Sequence, residues 1–263
     1  MGSATREALA ASRTALAALG TKADLATGEQ LLAAGRVIGD SAQLRAALVD
    51  SSVEANEKTS IIDAVFHAVS APARSLLATV ATSSWSSEDD LLAGIEELGF
   101  RVIAASAKGN SIETELFAFG AAVNSDPELE LAVSSKLGSA EAKSALVAAL
   151  VGGKASEQSL AILQHLVQQP RGRRIAELLR DASSIVADEA GLAVATVTTA
   201  SAISPAQLTR LAKSLAASNG RELRINHVID PSIIGGIRVQ LGDEVIDGTV
   251  ATRINDLRLQ LAS

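Results

Sequence analysis

The stretch LAVATVTTASAISPAQLTRLAKSLAASNG, residues 192–220, is where the periodicity of the chain changes. Its first nine residues alternate with period two and are rich in Val and Thr, the pattern of a strand. Ser204 then precedes Pro205, a hydroxyl N-cap followed by the residue favoured at the first helical position. Leu208, Leu211 and Leu215 follow at helical spacing until Gly220, a suitable stop. Strand followed by helix predicts a small mixed domain over residues 191–263. The longest uncharged run, Ala190 to Thr209, overlaps this window. It is long enough to cross a bilayer, but it is dense in Thr and Ser and contains Pro205, so no direct membrane span is expected.

Beyond this stretch the signals stay mixed. ELRINHVI (222–229) reads as a second strand, and IIGGIRVQLGDEVID (233–247) as a hairpin turning at Gly242-Asp243. TVATRINDLRLQLAS (249–263) is a closing helix with Val250, Ile254, Leu257 and Leu261 on one face.

Upstream, residues 1–190 are helical in pattern. Apolar residues recur at spacings of three and four: Leu31, Leu32, Val37 and Ile38; Leu76, Leu77 and Val80; Leu91, Ile95, Leu98 and Val102; Leu160, Leu163, Leu166 and Val167. Asp40-Ser41, Ser125-Asp126-Pro127 and Ser139-Ala140-Glu141 are helix starts. The opening REALAASRTALAALG (6–20) is Arg- and Ala-rich like a targeting peptide, but it carries Glu7 and precedes no long apolar core. It is read as a first amphipathic helix. The fold class expected is mainly α, an N-terminal helical bundle followed by a small α+β C-terminal domain.

The bundle shows a partial internal duplication. The segment from Asp40 aligns with that from Ser125, so that Leu44 meets Leu129, Leu48 meets Val133, Lys58 meets Lys143, Ile61 meets Leu146 and Val65 meets Leu150. The offset is constant, 143 − 58 = 85 and 150 − 65 = 85. Repeat-like halves are expected over about residues 30–105 and 115–190. Coincidence between two Ala-rich helical stretches is the alternative.

Composition narrows the function. Of 263 residues, 48% are hydrophobic but only 2% aromatic, so the core is built from Ala, Leu, Ile and Val. A net charge of −7 and few stacking residues argue against nucleic acid as a partner. The absence of cysteine excludes disulfides, thiolate metal sites and thiol catalysis.

Catalytic material is sparse. His67, His165 and His227 have no carboxylate or second His at ligand spacing, so each reads as structural or exposed, and no metal or cofactor is expected. VGGKA (151–155) lacks the upstream glycine and the following Ser or Thr of a phosphate loop, so it reads as an interhelical turn. SSEDD (86–90) places three carboxylates where a helix begins, which favours capping over a cation site. RGRR (171–174) is either a solvated turn or a contact for an acidic partner or a phosphate. Trp85, the one tryptophan, is an anchor for a core or an interface.

The glycines of VIDPSIIGGIRVQLGDEVIDGTV (228–250) lead from strand to strand. A phosphate cradle would have them lead into a helix N-terminus. Asp230-Pro231 sets an extended or turned entry, and Asp247 or Thr249 caps the last helix. The order of Asp230, Pro231, Ile234, Gly235, Gly236, Val239, Gly242, Asp243, Ile246, Asp247, Gly248, Arg253 and Leu257 closely resembles the C-terminal signature of the delta subunit family of F-type ATP synthases, called the oligomycin-sensitivity-conferring protein in mitochondria. The resemblance runs from Ser156 to the end. Both repeated segments upstream resemble one helix pair of the family's N-terminal bundle. Family members are usually shorter, with one six-helix bundle. This chain carries about one and a half, like the extended subunits of actinobacteria, which leaves open which copy makes the family's N-terminal contacts.

The resemblance implies a peripheral-stalk (stator) subunit without an active site, held at the cytoplasmic face of the bacterial cell membrane as part of the ATP synthase complex. It implies two partners: the N-terminal helices of the alpha subunits for the bundle, and the C-terminal end of the b subunit for the small domain. Leu9 and Leu16 of the first helix, with Leu76, Leu77 and Val80, resemble the family's groove-forming elements. Ile254, Leu257 and Leu261 are candidates for the b contact. Core packing is the competing role at all of these positions. A helical-repeat adaptor unrelated to the synthase is the alternative function.

Overall fold

The computed structural model describes residues 2–107, 109, 112–135, 138–242 and 244–254. The chain forms two compact units, Met1–Val186 and Ala187–Ser263. The first is helical: α1 (Ser3–Leu19), α2 (Leu25–Asp40), α3 (Ala42–Val49), α4 (Ala55–Val65), α5 (Ala71–Thr82), α6 (Glu88–Ser106), α7 (Ile112–Ser125), α8 (Pro127–Ser134), α9 (Ala140–Val151), α10 (Glu157–Gln168) and α11 (Ile175–Glu189), the last running across the unit boundary.

Short polar side chains set where these helices start. The hydroxyls of Ser41, Ser87, Ser139 and Ser156 accept from the backbone N–H of Leu44, Asp90, Ala142 and Ser159. Asp24 accepts from Thr27, and Asp126, rather than Ser125, caps α8 by accepting from Glu128 and Leu129. Each cap satisfies an amide that the first helical turn leaves without a partner. The three carboxylates of SSEDD fall in the first turn of α6, as the helix dipole favours.

The helical unit has two apolar clusters. One gathers α1 to α6 around Leu31, Leu76, Leu91 and Ile95; the other joins α7 to α11 to Phe100 and Ile103 of α6 and Leu32 of α2. Helix α6 is therefore buried on all sides, with twelve of its nineteen residues inside. A helix covered all round lies at the centre of a fold, and the charged residues it buries, Glu96, Glu97 and Arg101, are ion-paired. Glycines let α2 and α6 approach closely: a Cβ on Gly28 would lie 2.5 Å from Ile103, and one on Gly99 would lie 2.5 Å from Leu32. Trp85 lies over Gly94, 6% exposed, with its indole N–H donating to the Val80 carbonyl at 2.8 Å. Val37 stands outside the core because Ile38 takes the inward position, and Val65 is likewise exposed.

Helix starts recur along this unit. α3 and α8 begin at residues 42 and 127, and α4 and α9 at 55 and 140; 127 − 42 and 140 − 55 are both 85. At that offset Leu48 and Val133 are both buried, and so are Lys58 and Lys143. The Lys58 ammonium donates to the Leu48 carbonyl at 2.7 Å, near the end of α3, where the helix dipole favours a cation.

The second unit is a four-stranded sheet with a helix. β1 (Leu192–Thr199), α12 (Pro205–Asn219) and β2 (Glu222–Ile229) form a crossover whose strands pair in parallel. β3 (Ile237–Leu241) pairs antiparallel with β1, and β4 (Glu244–Asp247) with β3, giving the order β2-β1-β3-β4. Leu241 opposes Glu244 across the two-residue hairpin connection. Ala195, Val197, Leu223 and Val239 form the small core, with Leu211 and Leu215 of α12 packed against it. Val197 faces Val239 across the strands. Ser204 and Gln207 make a reciprocal capping box at the start of α12, and Gly220 closes it at φ 66°. Ser204→Ala should cost this unit about 1 kcal/mol. Chemical unfolding followed by hydrogen exchange in β1 and β2 would measure it, and unchanged exchange would show that the cap is dispensable.

Candidate functional site

One cluster of titratable groups in the helical unit is turned inward, around α6. Glu96 of α6 is buried. The Arg171 guanidinium donates to it at 2.5 Å and that of Arg173 at 2.8 and 2.9 Å. His165 of α10 lies beside it, with Nε2 3.7 Å from Glu96 Oε2, too long for a hydrogen bond. Arg36 of α2 donates to His165 Nδ1 at 3.0 Å. A guanidinium can only donate, so Nδ1 is the acceptor and the neutral ring carries its proton on Nε2, facing the carboxylate. The Phe100 ring packs edge-on to the imidazole, with centroids 5.7 Å apart.

Burial pushes the Glu96 carboxyl up, but the His165 ring and the Arg171 and Arg173 charges outweigh it and hold the group down to about 2. Burial likewise holds the His165 ring below its ordinary value, and Arg36 and Arg171 push the same way against Glu96.

The RGRR segment thus finds its acidic partner within the chain. Arg171 has φ 47°, the one non-glycine residue in the left-handed region among the described residues, and Gly172 follows at φ 76°. This tight turn aims Arg171 and Arg173 at one carboxylate. Such backbone strain persists where the surroundings over-determine it. Sequence reasoning missed Glu96, although a lone EE pair inside the apolar stripe of α6 was the available signal.

The other histidines also have local partners. His67 is exposed, with Nδ1 3.1 Å from the Ala64 carbonyl, and His227 Nε2 is 2.7 Å from the Thr199 hydroxyl across the sheet. Gly152-Gly153 of VGGKA turns the chain out of α9. A depression of about 480 Å³ opens near Ser87, Leu92 and Gln169, but its Arg45 pairs with Glu88 at 2.8 Å and its Arg171 with Glu96. Among the described residues, no three His, Cys, Asp or Glu side chains are grouped to hold a metal.

Leu9, Leu16, Leu76, Leu77 and Val80 all lie in the first apolar cluster, where they fix α1 and α5. The outward faces of those helices remain exposed, among them Ala11, Thr14 and Ala18. Leu257 and Leu261 lie outside the described residues. Ile254 is described and exposed, at the end of a helical segment over 250–254.

In the second unit the glycine-rich segment builds one corner. Asp230 N–H donates to the Thr199 carbonyl, and the Asp230 carboxylate accepts from Ser232 N–H, making a turn at Pro231. Gly235 accepts from Val250 N–H at 3.0 Å, and Gly248 N–H donates to the Ile237 carbonyl at 2.9 Å. Asp247 accepts from Thr249 N–H, and the Thr249 hydroxyl from Thr252 N–H, so Thr249 caps the helix that carries Arg253. Gly242 sits at φ 57° in the hairpin connection. Around this corner aliphatic side chains stand in solvent: Ile234 is 80% exposed, Ile229 51%, Ile246 47% and Val245 45%. All four residues of β4 are exposed.

A helical unit with an ion-pair cluster that closes on itself, and a sheet unit that displays aliphatic side chains, are the make-up of an assembly subunit. The chain belongs to the ATP synthase delta (OSCP) subunit family, whose model matches residues 100–261. It is 56% identical to the ATP synthase subunit delta of Leifsonia xyli subsp. xyli over the whole of both chains. It is 36% identical to that of Streptomyces avermitilis over 99% of this chain and 98% of the other. A chain of the Toxoplasma gondii mitochondrial ATP synthase hexamer, solved by cryo-EM, is 21% identical, covering 62% of this chain and 93% of that one with a TM-score of 0.41. Membership makes this chain a peripheral-stalk subunit of the synthase, associated with the membrane through the complex, and sets aside an unrelated helical-repeat adaptor. Among the described residues no helix is long and apolar enough to cross a membrane.

Proposed function

We propose that the helical unit docks the N-terminal helix of an alpha subunit and that the C-terminal unit grips the end of the b stalk. The chain performs no reaction of its own. It holds the catalytic head against the torque of the rotor at the cytoplasmic face of the cell membrane. Two modest contacts on one chain hold better than either alone, because the first raises the effective concentration of the second.

The exposed aliphatic corner of the second unit carries this reading. β4 is an edge strand whose charges, Glu244 and Asp247, stand at its two ends, which leaves Val245 and Ile246 uncovered on opposite faces between them, while Ile234 is exposed in the segment leading into β3. Such a surface suits an amphipathic stalk helix. Full-length Ile234→Asp/Ile246→Asp should lose b in co-purification and keep an alpha N-terminal peptide. If b is retained at the wild-type level, the corner is not the b contact. If alpha is lost as well, the division between the units is wrong.

A further inference from the structure

The two ends of the helical unit answer one another. α6 begins 85 residues after α1 (88 − 3), and α10 begins 86 after α5 (157 − 71). In each case the pair is in contact, α1 with α5 and α6 with α10. Helix α6 thus closes the first set of six helices and stands in the place of a first helix for the set that ends with α11. The seam between α6 and α10 is filled. Helix α2 lies on it, with Leu32 in the second apolar cluster beside Phe100 and Ile103, and Arg36 hydrogen-bonded to His165. Glu96 then fastens the α10–α11 turn over the same place through Arg171 and Arg173.

Shifted back by 85, Gly99, Phe100 and Ile103 become Thr14, Ala15 and Ala18; shifted back by 86, His165 becomes Thr79. Thr14 and Ala18 are exposed, and Ala15 and Thr79 half-buried. From Ala11 to Ala18 this side of α1 is uncharged and low in volume, with Glu7 one heptad before Thr14. The counterpart on α6 is where glycine brings another helix closest.

We infer that α2 occupies the second set's helix-docking seam from within the chain, so that the helical unit offers one such seam, between α1 and α5, and not two. The occupant is a helix of the kind α2 exemplifies, with small and aliphatic residues on its contact stripe. This rests on the reading that the unit docks an alpha N-terminal helix.

A peptide spanning the N-terminal helix of the same synthase's alpha subunit, titrated into the full chain by calorimetry, tests it. One peptide should bind per chain. Thr14→Glu/Ala18→Glu should weaken binding roughly tenfold or more. Ala145→Glu/Ala149→Glu on exposed α9 positions should leave it unchanged. Because the chain has no cysteine, Thr14→Cys carries a single thiol label, which the peptide should shield without any need for the double variant to fold. Two peptides per chain, an unshielded label at Thr14, or equal binding by the Thr14→Glu/Ala18→Glu variant overturns the inference while leaving the docking role intact. No binding to the wild-type chain overturns both.

Discussion

Glu96→Ala is expected to destabilise the helical unit by about 3 kcal/mol, the lower end of what removing one partner of a buried ion pair costs. The lower end applies because Arg171 and Arg173 are 17% and 24% exposed and keep part of their hydration, while the carboxylate is 8% exposed. The loss has three parts. Arg171 is left without a counter-charge and Arg173 with only Asp181 at 3.7 Å, the left-handed turn at Arg171 loses its anchor, and α6 loses its tie to the α10–α11 turn. Chemical unfolding at neutral pH would measure it. A variant within about 0.5 kcal/mol of wild type, the range of an ordinary surface change, would mean that the cluster is idle.

The pH dependence has a definite sign. The Glu96 carboxyl is held down to about 2 in the folded chain, against 4.5 for an ordinary glutamate. A depressed carboxyl adds stability that is fully present above the unfolded value and is lost as pH falls toward the folded one. The stability gap between wild type and Glu96→Gln should therefore be constant above about pH 5 and shrink between about 4.5 and 2. A gap that widened on acidification would contradict the ion-pair account.

Gly236→Ala is the second large effect, and it should fall on the sheet unit alone. Gly236 sits at φ 88°, and a Cβ there would meet the Gly248 carbonyl oxygen and stand 2.8 Å from the Thr249 Cα. Backbone cannot yield as a side-chain tip does, so strain and overpacking combine to about 3 kcal/mol or more. The core beneath is four residues with a half-buried surround, leaving little margin. Hydrogen exchange should rise across β1, β2 and β3 while α2 and α6 keep their protection. Wild-type protection in the strands would show that the corner can open at little cost.

Much of this was legible because it is local. The caps at Ser41, Ser139 and Ser204 read directly from a short polar residue before an apolar period, and the strand at residue 192 from its alternation. The turn chemistry from Asp230 to Thr249 was equally plain, since the side chains of Asp230, Asp247 and Thr249 bond within two or three residues. Glu96 was not legible. Its partners lie 75 and 77 residues along the chain, and no periodicity reports a pairing at that distance. The basic run RGRR carried half of the signal, and read alone it left a solvated turn and an acidic partner both open. For the same reason the leucines of α1 and α5 could be placed on a stripe while the sequence left open whether the stripe faced a core or a partner.

Trp85 gives the molecule a built-in reporter. The chain has one tryptophan and no tyrosine, so its indole emission has a single source. That source is packed over Gly94 with its indole N–H bonded, inside the cluster formed by α1 to α6. Fluorescence therefore registers the melting of that cluster, and the sheet unit is silent in this channel. Circular dichroism sees every helix, so comparing the two signals on one sample tells which part of the chain gives way first, without any label.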